Sequence, residues 1–282
     1  MEFAVYSRFD EILRQREAEG AADYIASLGF SAVEIPTSAH ALSECAVTSP
    51  EQGLRLGEIL RRAGLRVCCY SSSADLFSEG SGEWEGRLRE HVRRAAAVGS
   101  PYLHHTLIPW LTLPDDAPLF EDARMRVTEA AVRVAEYARS MGLRCLYEPQ
   151  GMYCNGSERF SAFYRGIRAC TDNVGICADT GNPMFADDTL LPVLQEFPGE
   201  IYHVHIKDYH REEAPFDGEG KLYRTRGGAY LRETAVGTGD VDFPEVMRLL
   251  RQSGYRGAFA FEIKGLPFDE RVRQTMRYLE TL

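Results

Sequence analysis

The chain has 282 residues, 44% of them hydrophobic and 26% charged, with a formal net charge of −10 at pH 7. Such proportions suit a soluble folded chain with a large core and do not fit a disordered one. An acidic chain without a Lys/Arg cluster repels a phosphate backbone, so nucleic acid is excluded as the expected partner.

In chain order, the first strand is expected over residues 3–6, behind an acidic residue, which is unlike the basic start of a secretion signal. A helix is expected over 18–28, then strand 32–35 and helix 51–63, strand 65–70 and helix 84–98, strand 101–106 and helix 120–141. The second half repeats the alternation with strand 143–148 and helix 157–169, strand 174–179 and helix 189–197, strand 201–207 and helix 243–253, and strand 258–264 and helix 269–282. No apolar run approaches a membrane span, so no membrane partner is expected. Seven cysteines, an odd number scattered through apolar segments, read as reduced core thiols and place the chain in the cytoplasm.

Gly29, Gly64, Gly142 and Gly254 each close a predicted helix before the next strand, the position where a left-handed residue redirects the chain. Asp242-Phe243-Pro244-Glu245 has the form of a capping box. Eight strand-then-helix units without a composition break point to one domain over residues 1–282, an α/β fold closed as a (β/α)₈ barrel, for which about 250 residues are usual. The alternative is an open doubly wound sheet, but no glycine-rich phosphate loop follows the first strand.

In such a barrel the chemistry sits at the carboxyl ends of the strands. Strand five ends in Glu148, strand six in Asp179, strand seven carries His205, and strand eight carries Glu262. A carboxylate inside an apolar strand is costly unless a charge compensates it, and three at one mouth repel each other. One divalent cation, with His205 as a neutral nitrogen ligand, resolves the conflict; Mn²⁺ or Mg²⁺ suits the donor set best, and Co²⁺ or Zn²⁺ also fits. Taken singly, each residue has a plainer reading, an ion pair for a carboxylate and a hydrogen bond for a core histidine; their concurrence on four strands favours the site. His203 reads as a supporting or core residue. Glu34, at the end of strand two, is a candidate substrate contact or a simple ion pair. His104 and His105 face opposite ways, so at most one reaches the mouth.

The sequence resembles the sugar phosphate isomerase/epimerase family of xylose isomerase-like barrels. The resemblance rests on Glu148-Pro149, Asp179-Thr180-Gly181-Asn182, His203-Val204-His205-Ile206-Lys207-Asp208, Val236 through Phe243, and Gly254 through Glu262, in the family's order. It implies a metal on Glu148, Asp179, His205 and Glu262, and, as in the group's ketose 3-epimerases, Glu148 and Glu262 as catalytic acid and base. Arg211 matches a substrate-binding arginine of those enzymes. Where they carry a substrate-binding glutamate and a histidine, this chain has Cys154 and Asn182, so Asn182 becomes a candidate substrate contact of its own kind.

The expected function is therefore a metal-dependent isomerase or epimerase of a sugar, sugar derivative or cyclitol, working by proton transfer beside a carbonyl. A lyase of the inosose or dehydroshikimate dehydratase type, or one cleaving an oxidised glycoside, uses the same first step. An endonuclease IV-like phosphodiesterase needs more histidines and a basic surface than this chain offers, and a metal-free binding module is the remaining class. The expected partner is a small polyhydroxylated substrate; a homo-oligomer stays open. The polar, glycine-rich connection 209–235 is unusually long for a barrel and reads as a lid, a protomer contact or a disordered stretch.

Overall fold

The computed structural model describes residues 1–37, 47–78, 83–112, 115–214, 222–263 and 267–282. Eight parallel strands close on themselves in the order β1-β11-β7-β6-β5-β4-β3-β2. They are β1 (Glu2–Val5), β2 (Ala32–Thr37), β3 (Arg66–Ser72), β4 (Tyr102–His105), β5 (Arg144–Tyr147), β6 (Val174–Asp179), β7 (Ile201–Ile206) and β11 (Ala258–Phe261). The helices between them are α1 (Phe9–Ser27), α2 (Pro50–Arg62), α3 (Glu83–Val98), α4 (Phe120–Ser140), α5 (Gly151–Cys154), α6 (Ser157–Arg168), α7 (Leu191–Glu196), α8 (Phe243–Gln252) and α9 (Phe268–Glu280). The expected (β/α)₈ barrel is the fold.

Two packing layers follow from the strand alternation. Residues facing the lumen are small or narrow, with Ala4, Ala32, Cys69, Cys177 and Ala260 in one buried cluster, because eight tilted strands leave little room inside. Residues facing outward, among them Val33, Ile35, Leu103, Tyr147 and Ile206, join the larger core under the helices. Cys68, Cys69, Cys145, Cys154 and Cys177 are buried and free, and Cys170 is exposed. Gly29, Gly64, Gly142 and Gly254 all have φ between 75° and 95°, so the helix ends lie where the sequence places them. The Asp242 side chain accepts from the Glu245 N–H at 3.1 Å, completing its half of the capping box.

Some elements depart from expectation. Helix α1 begins at Phe9, nine residues early, and breaks its helical geometry at Glu17 (φ 56°); its charged first half carries little apolar periodicity to betray it. A 3₁₀ turn (Asn182–Ala186) and the short α5 follow strands β6 and β5. The expected long connection after strand seven holds three short strands, β8 (Asp208–Glu212), β9 (Leu222–Arg224) and β10 (Tyr230–Thr234), paired antiparallel in the order β8-β10-β9. Gly218 and Gly220 of that segment, and Lys264 at the expected end of strand eight, lie outside the described residues.

Candidate metal centre at the barrel mouth

Strand register brings the ionisable residues together. Asp179 pairs directly with His205 across β6 and β7, and the Glu262 N–H donates to Ile206 O at 3.0 Å just beyond β11. Glu148 stands one residue past β5. One donor atom from each of Glu148, Asp179 and His205 fits within a sphere where no two are more than 4.8 Å apart. His205 Nδ1 lies 3.2 Å from Glu148 Oε2, 3.6 Å from Asp179 Oδ2 and 3.8 Å from Glu262 Oε2.

The other face of the same imidazole is occupied. His205 Nε2 lies 2.9 and 3.0 Å from the two oxygens of Glu34, which also receives His203 Nε2 at 2.6 Å and the Ser71 hydroxyl. Glu34 is fully buried. Both oxygens are engaged by protein partners, which fits the ion-pair reading of Glu34: the carboxylate fixes the ring from behind. A proton held between Nε2 and Glu34 leaves the Nδ1 lone pair aimed at Glu148, Asp179 and Glu262, the arrangement by which carboxylates orient metal-binding histidines. Tyr6 stacks on the ring, 4.8 Å between centroids and 17° between planes.

Lys207 is the residue that the sequence reading leaves unassigned. It is buried, and its ammonium lies 2.9 Å from Asp179 Oδ2, 2.7 Å from Glu262 Oε2 and 3.0 Å from Asn182 Oδ1. Two hydrogen bonds between Thr180 and the Lys207 main chain, of 2.7 and 3.0 Å, hold its strand against β6. Asn182, an expected substrate contact, thus touches Lys207, and its buried Nδ2 has no hydrogen-bond partner. Arg211, the other expected contact, sits exposed on β8; its partners are Asp187, Glu213 and Asp240, none of them in the cluster. His104 reaches the mouth, 3.4 Å from Glu148 Oε1, while His105 turns away onto Thr106 and Tyr147, as strand alternation requires.

Electrostatics make the cluster short of positive charge. Glu34, Glu148, Asp179 and Glu262 converge on one ammonium and on histidines that must take up protons to help. Burial pushes Glu148 up, but His104 and His205 outweigh it and hold its carboxyl well below the usual range. Glu262 goes the other way: burial raises it, and the negative charges of Asp179 and Glu148 oppose the relief from Lys207. Burial lowers His205, but Glu34 behind the ring and Asp179 in front of it raise it well above its ordinary value. A divalent cation meets this deficit, and the donor set of one imidazole nitrogen with carboxylate oxygens accepts one. Two other groupings, Glu34-His203-His205 and His104-Glu148-Cys177, are less apt: the first is consumed by its own hydrogen bonds, and burial keeps the Cys177 thiol protonated. Glu262 stands at the edge of the ligand set, its side chain 23% exposed and held by Lys207.

The xylose isomerase-like TIM barrel model matches residues 22–282. The chain belongs to that family. Among curated xylose isomerase-like relatives, inosose dehydratase of Yersinia enterocolitica is 27% identical over 176 residues, covering 59% of this chain and 58% of that protein. The chain thus spans somewhat under two thirds of the curated relative it matches. Among solved barrels, D-psicose 3-epimerase of Clostridium cellulolyticum H10, crystallised with D-tagatose, superposes with a TM-score of 0.74 at 14% identity over 100% of this chain and 99% of that one. The IOLI protein, crystallised with a zinc atom, superposes with a TM-score of 0.71 at 14% identity over 98% and 96%. At these identities the two structures speak for the fold alone. Among the described residues, no helix is long and apolar enough to cross a membrane.

Proposed function

We propose that the chain is a divalent-metal-dependent enzyme that moves a proton beside the carbonyl of a polyhydroxylated substrate, a sugar, sugar derivative or cyclitol. The observation that carries this reading is the convergence of three carboxylates on one imidazole nitrogen at the barrel mouth: Glu148 Oε2 at 3.2 Å, Asp179 Oδ2 at 3.6 Å and Glu262 Oε2 at 3.8 Å from His205 Nδ1. Glu148 and Glu262 exchange the proton at the carbon beside the carbonyl, the roles that the resemblance to the ketose 3-epimerases implies for them.

Lys207 holds Glu262 and Asp179 in place, and Asn182 offers an unused amide N–H to a substrate oxygen. A divalent cation held by Glu148, Asp179 and His205, with Glu262 as the fourth ligand, supplies Lewis acidity toward the substrate's oxygens. Mn²⁺ and Mg²⁺ are the first candidates from the donor set, and the zinc of the IOLI neighbour supports a divalent ion generally.

Once the proton has left, the substrate can lose a neighbouring hydroxyl as water or be reprotonated. Dehydration is favoured, because the likeness in sequence is to proteins named inosose dehydratase; epimerisation is the second reading, supported by the fold of a ketose 3-epimerase. Incubating the protein and Mn²⁺ with inososes and keto-sugars in D₂O separates them. A new enone absorbance marks dehydration, and deuterium at carbon without water loss marks epimerisation. Neither signal across the panel, at full metal occupancy, would sink the proposal.

A further inference from the structure

Near the carboxylate cluster, the turn joining β9 and β10 borders a cavity of about 590 Å³. Leu111, Met152 and Phe185 supply an apolar side to it, and the ribbon adds Tyr223, Arg224, Thr225 and Arg226. Among the described residues, no carboxylate lines it. In a chain of net charge −10 this is a local reversal of sign.

Its two guanidinium groups form no ion pair among the described residues. The Arg224 guanidinium has no ion pair or hydrogen bond recorded among the described residues, and no ion pair holds Arg226 either, which instead donates to Met152 O at 2.6 Å and Asn155 O at 2.9 Å. Thr225 is 4% exposed, and its buried Oγ1 has no hydrogen-bond partner. The nearby acids are engaged elsewhere: Asp187 accepts the Gly227 N–H at 2.6 Å, and Asp188 accepts from both the N–H and the hydroxyl of Ser157 at 2.7 Å. Burial lowers the pKa of Arg226 and Arg159 pushes the same way, while the neighbouring Asp187 and Asp188 offset only part of this. A planar guanidinium beside a free hydroxyl is the donor pattern that takes a phosphate or carboxylate.

The cavity is tied to the cluster by two short pieces of chain. Asn182, which touches Lys207, and Phe185, which lines the cavity, belong to one 3₁₀ turn; three residues of such a turn advance about 6 Å. Met152 follows Glu148 by four positions in the sequence. A ligand of sugar length can therefore touch both places.

We propose that this cavity is a subsite for the anionic end, a phosphate or a carboxylate, of a substrate whose carbonyl end lies on Glu148, Asp179 and His205. The second half of that statement rests on the proposed function; the subsite itself does not. Calorimetric titration of the purified full-length chain with D-glucose 6-phosphate, D-gluconate and D-glucose tests it. One of the two anions binds at least tenfold tighter than D-glucose, and which one identifies the group as phosphate or carboxylate. Arg224→Gln, which breaks no ion pair or hydrogen bond among the described residues, removes that preference. Arg226→Gln does the same, with circular dichroism to check that the ribbon survives the loss of its bonds to Met152 and Asn155. Glu148→Gln keeps the preference even where turnover is lost, which separates failure of the subsite from failure of the catalytic reading. Equal binding of charged and neutral sugars, or a preference unchanged in Arg224→Gln and a folded Arg226→Gln, overturns the proposal.

Discussion

Glu148 and Glu262 approach the same His205 nitrogen yet titrate in opposite directions, and Lys207 is the reason Glu262 stays where it is. Replacing either glutamate by Gln removes a ligand charge and a proton-transfer group together, so turnover is expected to fall by about 10²-fold or more. Steady-state rates with unchanged far-UV circular dichroism check it; near-normal activity in either variant, with metal bound, would mean the acid/base assignment is wrong. Lys207→Met leaves Asp179 and Glu262 facing each other without a cation, and breaking a buried pair in this way costs about 3 kcal/mol. Urea unfolding with and without Mn²⁺ reads the effect: the deficit should be large without metal and shrink with it, whereas an equal deficit in both would argue against a shared electrostatic site. Glu148, Asp179, His205 and Glu262 are legible in the sequence because each interrupts an apolar run at a strand end. Lys207 ends the same kind of run, but nothing in a single sequence separates it from a lysine that reaches solvent. Glu34 is visible as a strand-end acid, while its partners His203, His205 and Ser71 come from other strands, so its place behind the ring is decided by barrel closure.

At the scale of elements, the strand ends are held open by glycines and loop carboxylates. Asp179 Oδ1 accepts the N–H groups of Gly181 and Asn182 at 2.9 and 2.7 Å, which turns the chain sharply after β6. A Cβ on Gly181 would come within 2.6 Å of Lys207 Cγ and 2.7 Å of the Tyr209 ring. Gly181→Ala therefore has to displace the lysine or the ring, a packing conflict of roughly 1–3 kcal/mol. A lowered urea midpoint, together with weaker Mn²⁺ binding by calorimetry, is expected; unchanged metal affinity would show that Lys207 does not set the geometry of Asp179 and Glu262. The eight barrel strands and most of their helices are readable from apolar alternation and terminal glycines. The ribbon is harder, since β9 is three residues long and the segment is polar, and strands that short leave too few positions for a period of two to declare itself.

For the molecule as a whole, acid is the stress that the buried histidines resist least. Burial lowers His91 and His105 from 6.5 to about 4. In that interval the unfolded chain takes up protons that the fold refuses, so stability is fully present above pH 6.5 and is lost as the pH falls toward 4. Each shift of this size corresponds to roughly 3 kcal/mol. Asp10, raised by burial from 3.8 to about 6, acts in the opposite sense and offsets part of the loss. Unfolding free energy measured by urea at pH 7.5 and pH 5 should drop, and histidine ring resonances of His91 and His105 should show no titration above pH 5. Resonances that titrate near 6.5 would remove the basis of the prediction.

Metal and proton compete for the same atoms, and this links the pH dependence to the centre. His205 is raised well above its ordinary value in the metal-free protein, so cation uptake on its nitrogen must expel a proton that it holds. Binding to the native state stabilises it by an amount that grows with the ratio of free metal to Kd, about 2.7 kcal/mol at a hundredfold excess. For a chain of this size that corresponds to a rise in Tm of roughly 5–10 °C. Because protons are released, the Kd improves as pH rises, and the metal-induced increment in Tm should be larger at pH 8 than at pH 6. Differential scanning calorimetry with EDTA and with excess Mn²⁺ at both values is the measurement. An increment independent of pH would mean that the cation binds to groups already deprotonated, and Glu148, Asp179 and His205 would lose their claim to be the ligand set.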